Sequence, residues 1–272
     1  MLVSKNNFSS YSPQERCKFF RRRILEISQQ VSALHIGSAF SCTEIVDAIF
    51  FQLMNYSDSN NHTDDIFIMS KGHGCMIQYV ILEELDILTK HDLDNYCKSG
   101  GILGCHPDIG NPGISASTGS LGHGLSISLG MAYAAKLKKS SSCVYCVISD
   151  GEAQEGSTWE AVMMASSLNI NNLIVFMDNN DFQSLGRTSI THPSFYPITD
   201  KFIAFGWDCI AVDGHDSNQI ISAVNNRSGN KPLMVICKTV KGKGVSFMEN
   251  IPLWHYRSPN KEEFTKAFFE LS

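Results

Sequence analysis

Five short stretches of the chain are apolar at nearly every position instead of alternating between apolar and polar residues. This pattern is typical of strands that are covered on both faces. The predicted strands are Ile66–Met69, Cys143–Ile148, Leu173–Met177, Asp208–Val212 and Leu233–Cys237. Helical stretches are predicted between the later strands, at Leu125–Leu137, Trp159–Leu168 and Ser217–Asn225. The alternation predicts an α/β fold with a mostly parallel central sheet, helices on both faces and right-handed crossovers.

Two capping boxes predict helix starts ahead of the first strand. The box at 12–15, with Pro13 at the first helical position, precedes a long amphipathic helix whose apolar positions run from Phe20 to Leu34. The box Ser41-Cys42-Thr43-Glu44 precedes a second apolar helix from Ile45 to Met54, which a polar turn at 55–65 closes.

The chain has no internal repeat and no interdomain linker, so we expect a single domain over 1–272 with a short helical extension after about 258. The segment from Gly100 to Ser120 is rich in glycine, proline and serine and is expected to be a long loop inside this domain. Ordered loops of this length in an α/β fold tend to be functional.

Composition and charge exclude several classes of protein. The formal net charge is −5, which offers no electrostatic basis for binding nucleic acid or an anionic membrane surface. No apolar run reaches the roughly 18 residues of a membrane span. The charged fraction, 18%, is low, and this indicates surface that is buried in an assembly.

The cysteines indicate a reducing compartment. Nine are scattered between Cys17 and Cys237, and no secretory leader precedes them, so we expect a cytoplasmic protein with free thiols. Cys143 and Cys146 form a C-x-x-C pair inside a predicted strand without a second pair for zinc, so they are predicted to be core side chains.

Polar side chains follow two of the predicted strands where each strand ends. Asp150 and Gly151 come after one strand, and Asn180 follows the next strand thirty residues later. Because parallel strands end at the same edge of a sheet, these side chains should flank one crevice. Carboxylate and amide oxygens suit Mg²⁺, and Gly151 would let the backbone approach phosphate groups. Asp-Gly and Asn-Asn are also common turn sequences, so each motif alone is compatible with an ordinary turn.

The pair of motifs resembles the GDG-to-NN fingerprint of thiamine diphosphate enzymes, and residues 149–186 resemble the transketolase family in particular. The resemblance extends from about Arg16 to Asn260. It implies a diphosphate-binding domain that holds thiamine diphosphate and Mg²⁺, or another divalent cation such as Ca²⁺ or Mn²⁺. The implied metal ligands are Asp150, Asn180 and the main-chain carbonyl of Phe182. The first glycine of the family motif is Ser149 here, a change that leaves the ligands in place.

The resemblance also implies which residues contact the cofactor. A glycine-rich helix entry at 118–124 resembles a family segment that contacts the cofactor, although by itself such an entry is weak evidence. The implied cofactor-binding residues are His73, Gly119, Ser120, Leu121, Asp150, Gly151, Glu152, Asn180 and His255.

Five histidines lie beside glycine, proline or loop residues, which display a side chain: His35, His73, His106, His123 and His255. Each alone is compatible with a structural role, but together they would line a cleft with donors and proton carriers that titrate near neutrality. Such a cleft suits sugar hydroxyls and a carbonyl. The resemblance implies catalytic contacts from His35, His73, His106 and His255, with His73 and His255 nearest the reactive carbon of the cofactor.

Leu34 stands where the family has a small residue before the first histidine, which would reshape the mouth of the channel. The other histidines, His62, His91, His192 and His215, match no motif and are predicted to be surface or turn residues.

Glu155 and Glu160 lie early in the predicted helix after Asp150, where the helix dipole favours carboxylates. The resemblance implies a second role, in a buried carboxylate network that crosses the dimer interface and reaches the active site. Carboxylates held that close would raise the pKa of at least one of them.

A complete transketolase is more than twice this length, so the resemblance covers its thiamine diphosphate-binding part. We therefore expect an N-terminal subunit that transfers a two-carbon ketol unit from a ketose to an aldose together with a C-terminal subunit. That partner would carry the pyrimidine-binding domain and its glutamate, and family geometry implies a heterotetramer with two copies of each.

Three alternatives remain open. They are the α subunit of a 2-oxo acid dehydrogenase, a deoxyxylulose-phosphate synthase-like subunit, and a non-catalytic paralogue that binds cofactor. The histidine set disfavours the first, and the intact positions Asp150 and Asn180 disfavour the last. A nicotinamide enzyme is disfavoured because no G-x-G-x-x-G follows a strand.

Overall fold

The computed structural model describes residues 10–56, 64–184 and 186–272. Five parallel strands form the central sheet in the order β1-β2-β3-β7-β6. Their bounds are β1 Ile66–Met69, β2 Val144–Ser149, β3 Leu173–Asn179, β6 Asp208–Asp213 and β7 Leu233–Lys238. A short antiparallel pair, β4 Phe182–Gln183 and β5 Gly186–Arg187, follows β3. The predicted α/β class and parallel sheet are confirmed.

Helices cover both faces of the sheet. They are α1 Pro13–Ser28, α2 Ile36–Ser41, α3 Thr43–Ala48, α4 Met76–Glu84, α5 Lys90–Asp94, α6 Gly124–Leu137, α7 Gly156–Ser167, α8 Thr188–Thr191, α9 Ile198–Ala204, α10 Ser217–Asn225 and α11 Lys261–Glu270. A π-helical segment, Ile49–Leu53, and 3₁₀ turns at Gly72–Gly74, Glu152–Gln154, Pro193–Phe195 and Pro252–His255 complete the elements. None of the helices among the described residues is both long and apolar enough to span a bilayer.

Alternate residues of the inner strands enter two separate cores. In β3, Ile174 and Phe176 pack with α1, α3 and α4 on one face, whereas Val175 and Met177 pack with α6, α7 and α9 on the other. Burial on both faces explains why these strands are continuously apolar. The edge strand β6 differs, because most of its residues are partly or fully exposed. The expectation that this strand is covered on both faces was wrong.

The first helix is shorter than predicted. It begins at the predicted capping box, in which Ser12 and Glu15 bond reciprocally, but it ends at Ser28. The N–H groups of Gln29 and Gln30 bond carbonyls three residues earlier and close the last turn. Leu34 lies beyond the helix and is buried in the core. It does not line the cavity described below, so the expected effect on the channel mouth was wrong.

The second predicted capping box does not form. Ser41 is the last residue of α2, and its hydroxyl donates to the Asp178 carboxylate at 2.6 Å. Glu44 instead accepts two hydrogen bonds from Arg21, at 2.6 and 2.7 Å. Both side chains therefore form hydrogen bonds with residues distant in the sequence and not with each other's backbone. The helical segment is interrupted at Cys42, which makes no side-chain cap bond.

Candidate active site

A cavity of about 590 Å³ opens at the carboxyl ends of β2 and β3. The residues of the sequence prediction that line it are His35, His73, His106, Gly119, Leu121, Gly151, Glu155, Asn180, Phe182 and His255. They come from segments that lie up to 220 residues apart in the chain, and the sheet edge brings them together. The loop at 100–120 carries His106 and Gly119 to this cavity, as its predicted functional role requires.

Asp150 follows β2 and is fully buried. Its Oδ1 accepts from the N–H of Gly151 at 2.9 Å, and its Oδ2 accepts from the N–H of Asp181 at 2.7 Å and from the Thr188 hydroxyl at 3.2 Å. Burial and the nearby Asp178 carboxylate raise the pKa of Asp150 to about 7. Among the described residues Asp150 forms no ion pair, so its negative charge lacks a direct counterion.

Asn180 and Phe182 lie opposite Asp150 after β3. The amide oxygen of Asn180 accepts from the N–H of Phe182 at 3.0 Å. The carbonyl oxygen of Phe182 is so near Gly151 that a Cβ there would lie 3.4 Å from it. A carboxylate, an amide and a main-chain carbonyl thus offer hard oxygens after the carboxyl ends of β2 and β3, which is the donor chemistry that Mg²⁺ and similar cations take. The buried, unpaired carboxylate of Asp150 fits such a cation.

A buried ion pair beneath the cavity positions Asn180. The ammonium of Lys71 contacts the Asp178 carboxylate, and both side chains are fully buried. Asn180 Nδ2 donates to the same carboxylate at 3.0 Å, and the Thr239 hydroxyl also donates to it. Burial opposes ionisation of Asp178, but the Lys71 ammonium outweighs it and keeps the pKa of Asp178 below its usual value.

Four imidazoles form a cluster in the cavity. The ring of His35 lies 5.4 Å from His73, 5.4 Å from His255 and 6.1 Å from His106, between centroids. Burial, followed by neighbouring positive groups, lowers the pKa of His35 to about 4 and that of His255 to about 3, and lowers the pKa of His73 well below its usual range. The convergence of these histidines agrees with the prediction, but titration of these three near neutrality does not.

Lys241 is a cavity residue that was not predicted from the sequence. Its Nζ is 2.7 Å from Nδ1 of His255 and lies 5.3 Å above the Phe182 ring, at the cavity wall. Burial and the proximity of Lys71 lower the pKa of Lys241 to about 8. The signal that could have identified it is Lys-Gly-Lys-Gly at 241–244, directly after a strand that ends at the same sheet edge.

Three residues predicted to contact the cofactor do not line the cavity: Asp150, described above, Glu152 and Ser120. Glu152 is fully buried, and its Oε1 accepts from the Ser70 hydroxyl at 2.5 Å and from the N–H of Gly122 at 3.0 Å. Its buried carboxylate therefore connects the loop at Gly122 to Ser70, which follows β1. Ser120 is exposed on the loop and is not part of the cavity lining. Neither the Glu152 nor the Ser120 side chain lines the cavity in this single chain, and their contact with the cofactor stays a prediction.

The remaining histidine predictions have different outcomes. His123 is exposed and contacts the carbonyl of Leu121, outside the cavity lining. His215 lies in the turn after β6, as predicted, and is partly buried, since its Nδ1 donates to Glu44 at 2.9 Å and its Nε2 accepts from the N–H of Val240 at 2.9 Å. His91 and His192 are exposed as predicted. His62 lies outside the described residues.

Glu155 and Glu160 are both exposed in this single chain. Glu155 lines the cavity beside Gly122, whereas Glu160 lies farther along α7. Their predicted burial among other carboxylates depends on a second chain and stays a prediction. Ser149, in place of the usual glycine, lies in the extended backbone of β2, and its hydroxyl accepts from the N–H of Glu152 at 3.0 Å. A glycine is therefore not required at that position.

Comparisons with known proteins agree with this geometry. The family described as "Transketolase, thiamine diphosphate binding domain" matches residues 14–266. An apulose-4-phosphate transketolase subunit of Phocaeicola vulgatus is 38% identical over 93% of this chain and 91% of its own length. The 6-deoxy-6-sulfo-D-fructose transketolase subunit SqwG of a Clostridium species is 35% identical over 95% of each chain.

Complete transketolases are also similar. The human enzyme is 36% identical over 81% of this chain, which corresponds to 36% of its own length. The crystal structure of transketolase from Campylobacter jejuni superposes with a TM-score of 0.87 at 25% identity and covers 95% of this chain. This chain spans about 42% of that protein. The chain therefore belongs to the transketolase family and corresponds to its thiamine diphosphate-binding domain.

Proposed function

We propose that the chain is the N-terminal subunit of a two-component transketolase, which transfers a two-carbon ketol unit from a ketose to an aldose. The observation that carries this proposal is that Asn180 and Phe182 line one cavity together with a cluster of imidazoles, and that the buried carboxylate of Asp150 lies next to Gly151, which also lines it. As a member of this family the chain is a transferase component. Relatives that match more than 90% of its length are named as subunits, which supports a two-component enzyme.

The same residues would hold the cofactor and its metal. Asp150, Asn180 and the carbonyl of Phe182 would bind Mg²⁺, and Ca²⁺ or Mn²⁺ takes the same oxygen donors. Gly151, Gly119 and Leu121 line the cavity where the diphosphate would lie, and Lys241 would balance its charge. Thiamine diphosphate, when bound, supplies the carbon nucleophile and the electron sink for breaking and forming the carbon–carbon bond.

The histidines would bind the sugar and move its protons. A neutral imidazole donates with one nitrogen and accepts with the other, so it matches a substrate hydroxyl better than an imidazolium, which only donates. The lowered pKa of His35 and His255 keeps both rings neutral at pH 7. Together with His73 and His106 they can orient the ketose carbonyl and its neighbouring hydroxyls and exchange a proton with them.

The proposal includes a partner subunit that carries the pyrimidine-binding domain, in a heterotetramer with two copies of each chain. An exposed apolar surface on α6 and α7 supports an interface there: Tyr133, Leu137, Met163 and Met164 are 37–66% exposed. Such a patch is typical of an interaction site. Glu160 lies on the same helix as Met163 and Met164. All nine cysteines are free, which supports the proposed cytoplasmic location.

The names of the relatives indicate a class of substrate. One relative is named for a sugar phosphate and another for a sulfonated sugar, so both names specify a sugar with an anionic group. We therefore propose a ketose donor with such a terminus, a phosphorylated one first. The identities of donor and acceptor depend on groups that the partner would supply.

The test is reconstitution of the chain with its complementing subunit, thiamine diphosphate and Mg²⁺. Ketol transfer from a ketose phosphate to ribose 5-phosphate should require both subunits. Asp150→Asn should lower affinity for the metal and cofactor at least about 100-fold. Asp213→Asn, the same change at the exposed end of β6, should leave that affinity unchanged and serves as the matched control.

Two outcomes would contradict the proposal. Cofactor binding by the pair without ketol transfer would reject transketolase activity, and decarboxylation of pyruvate or another 2-oxo acid would then indicate one of the alternative enzymes. Failure of the intact pair to bind thiamine diphosphate with Mg²⁺ would indicate a non-catalytic paralogue.

A further inference from the structure

Tyr256 extends the histidine cluster toward solvent. Its ring packs against the ring of His35, with 4.4 Å between centroids and an interplanar angle of 41°. Within the part of the chain that the structure describes, His35 is the ring that Tyr256 contacts. The side chain is 53% exposed, and no described residue forms a hydrogen bond with its hydroxyl. The ring of Tyr256 thus covers the solvent side of His35, and the Tyr256 hydroxyl is available for a hydrogen bond.

Neighbouring residues anchor this position. Trp254 is buried, and its Nε1 donates to the carbonyl of Phe247 at 3.0 Å. The residue after Tyr256 is Arg257, whose guanidinium lies 4.1 Å from the Trp254 ring and donates to the Glu263 carboxylate at 2.6 Å. Because the chain is tethered immediately before and after it, Tyr256 is placed by the fold and does not depend on its own packing.

Tyr256 itself presents an uncharged surface to solvent. Arg257 is the one cation between 251 and 260, and Glu263 already pairs with it. An aromatic face carries negative potential, so it favours C–H groups over an anion. The free hydroxyl can donate to or accept from a sugar hydroxyl. This combination matches the hydroxylated carbons of a sugar and does not match a phosphate or sulfonate.

We infer that Tyr256 is a specificity-determining residue, which forms the outer wall of the cleft and contacts the neutral CH–OH carbons of the acceptor sugar beyond its reacting end. The inference rests on the proposed function and deepens it, because it assigns part of substrate selection to this chain. His35 contacts the sugar nearer to its reacting carbons, and Tyr256 adds the next contact outward. An acceptor of two carbons is too short to reach the ring.

The test compares aldehyde acceptors of increasing length in the reconstituted enzyme, with one fixed ketose donor. Glycolaldehyde, erythrose and ribose, all unphosphorylated, are measured with Tyr256→Ala, Tyr256→Phe and the control Phe269→Ala, an exposed aromatic residue on α11. Tyr256→Ala should raise the KM for erythrose and ribose about tenfold and leave kcat/KM for glycolaldehyde within about twofold. Tyr256→Phe should retain most of the affinity, and Phe269→Ala all of it.

The outcomes separate the two proposals. Equal loss of kcat/KM for all three acceptors would indicate a general structural role for Tyr256 and overturn the inference, as would unchanged values for all three. Neither result would affect the proposed function. Absence of ketol transfer in the unmodified pair, with cofactor bound, would instead reject the proposed function and the inference with it. Unchanged binding of thiamine diphosphate by Tyr256→Ala confirms that the variant remains folded.

Discussion

The ammonium of Lys241 donates a hydrogen bond of 2.7 Å to Nδ1 of His255. A lysine ammonium has no lone pair, so Nδ1 must accept, and the ring proton of neutral His255 lies on Nε2. Burial and this positive neighbour together lower the pKa of His255 to about 3. Lys241 therefore selects one tautomer of a cavity histidine, which leaves Nε2–H as a hydrogen-bond donor.

The first prediction concerns this pair. In Lys241→Met the side chain keeps a similar length but loses its charge and its donor. We expect the pKa of His255 to rise toward 6.5 and the Nδ1–H tautomer to become populated. Nitrogen NMR of the imidazole ring measures both quantities. A ring that keeps a pKa near 3 and a single Nε2–H tautomer in the variant would show that burial alone controls His255.

The second prediction concerns acid stability. The pKa of His35 is about 4 in the folded chain, mainly because of burial, and about 6.5 in the unfolded chain. Between these values the unfolded chain binds a proton that the folded chain does not, so stability falls as the pH is lowered through this window. His35→Asn removes this contribution. Between pH 6.5 and 4, the free energy of unfolding of this variant should therefore fall less than that of the unmodified chain.

Urea unfolding at several pH values measures this difference. His192→Asn removes an exposed imidazole and serves as the control. Identical pH dependence in His35→Asn and the unmodified chain would show that His35 titrates alike in both states.

The third prediction concerns the buried contact between α1 and α3. Burial opposes ionisation of Glu44, but Arg21 and His215 outweigh it and lower its pKa to about 2. Its contribution to stability is therefore present above about pH 4.5 and is lost as the pH falls toward 2. Glu44→Gln leaves Arg21 unpaired and should cost about 3–5 kcal/mol of unfolding free energy at pH 7.

The control for Glu44 is Glu262→Gln, because Glu262 pairs with Lys266 on the exposed surface of α11. That change should leave the stability of the chain essentially unchanged, because solvent screens an exposed ion pair. Chemical denaturation at pH 7 compares the two variants. A cost for Glu44→Gln as small as that for Glu262→Gln would mean that water replaces the lost carboxylate charge.

The fourth prediction concerns assembly. Glu160 is exposed in the single chain, so Glu160→Gln should leave its melting temperature unchanged. If Glu160 enters a carboxylate network between subunits, the same change should weaken assembly with the complementing subunit about tenfold or more. Sedimentation velocity at several concentrations measures the association. Equal association of the variant and the unmodified chain would place Glu160 outside the interface.

The parallel sheet could be predicted closely from the sequence. β1 lies at the predicted residues, Ile66–Met69, and β2 and β3 each begin or end within two residues of the prediction. These strands are buried on both faces, so nearly every side chain is apolar and the signal is local. Asp150 and Asn180 could be predicted as neighbours for a related reason, since parallel strands end at one edge.

Only the tertiary structure decided which hydrogen-bond partners the polar side chains have. Ser41 and Glu44 have the local pattern of a capping box, but Asp178 and Arg21, which are distant in sequence, take their side chains. The pattern of a few adjacent residues predicts which hydrogen bonds are possible, and the competition with remote partners depends on how the helices pack.

The electrostatics of the site likewise depend on packing. Sequence alone identified His35, His73, His106 and His255 by their loop settings, but their pKa depends on burial and on neighbours such as Lys241. Tyr256 lies beside its neighbour His255 in the sequence, whereas its ring contact with His35 spans most of the chain. Local sequence thus determined the strands, their ends and the residue types at the site, because those follow from side-chain periodicity. The three-dimensional fold decided desolvation and contact, because both depend on groups that the chain brings together from far apart.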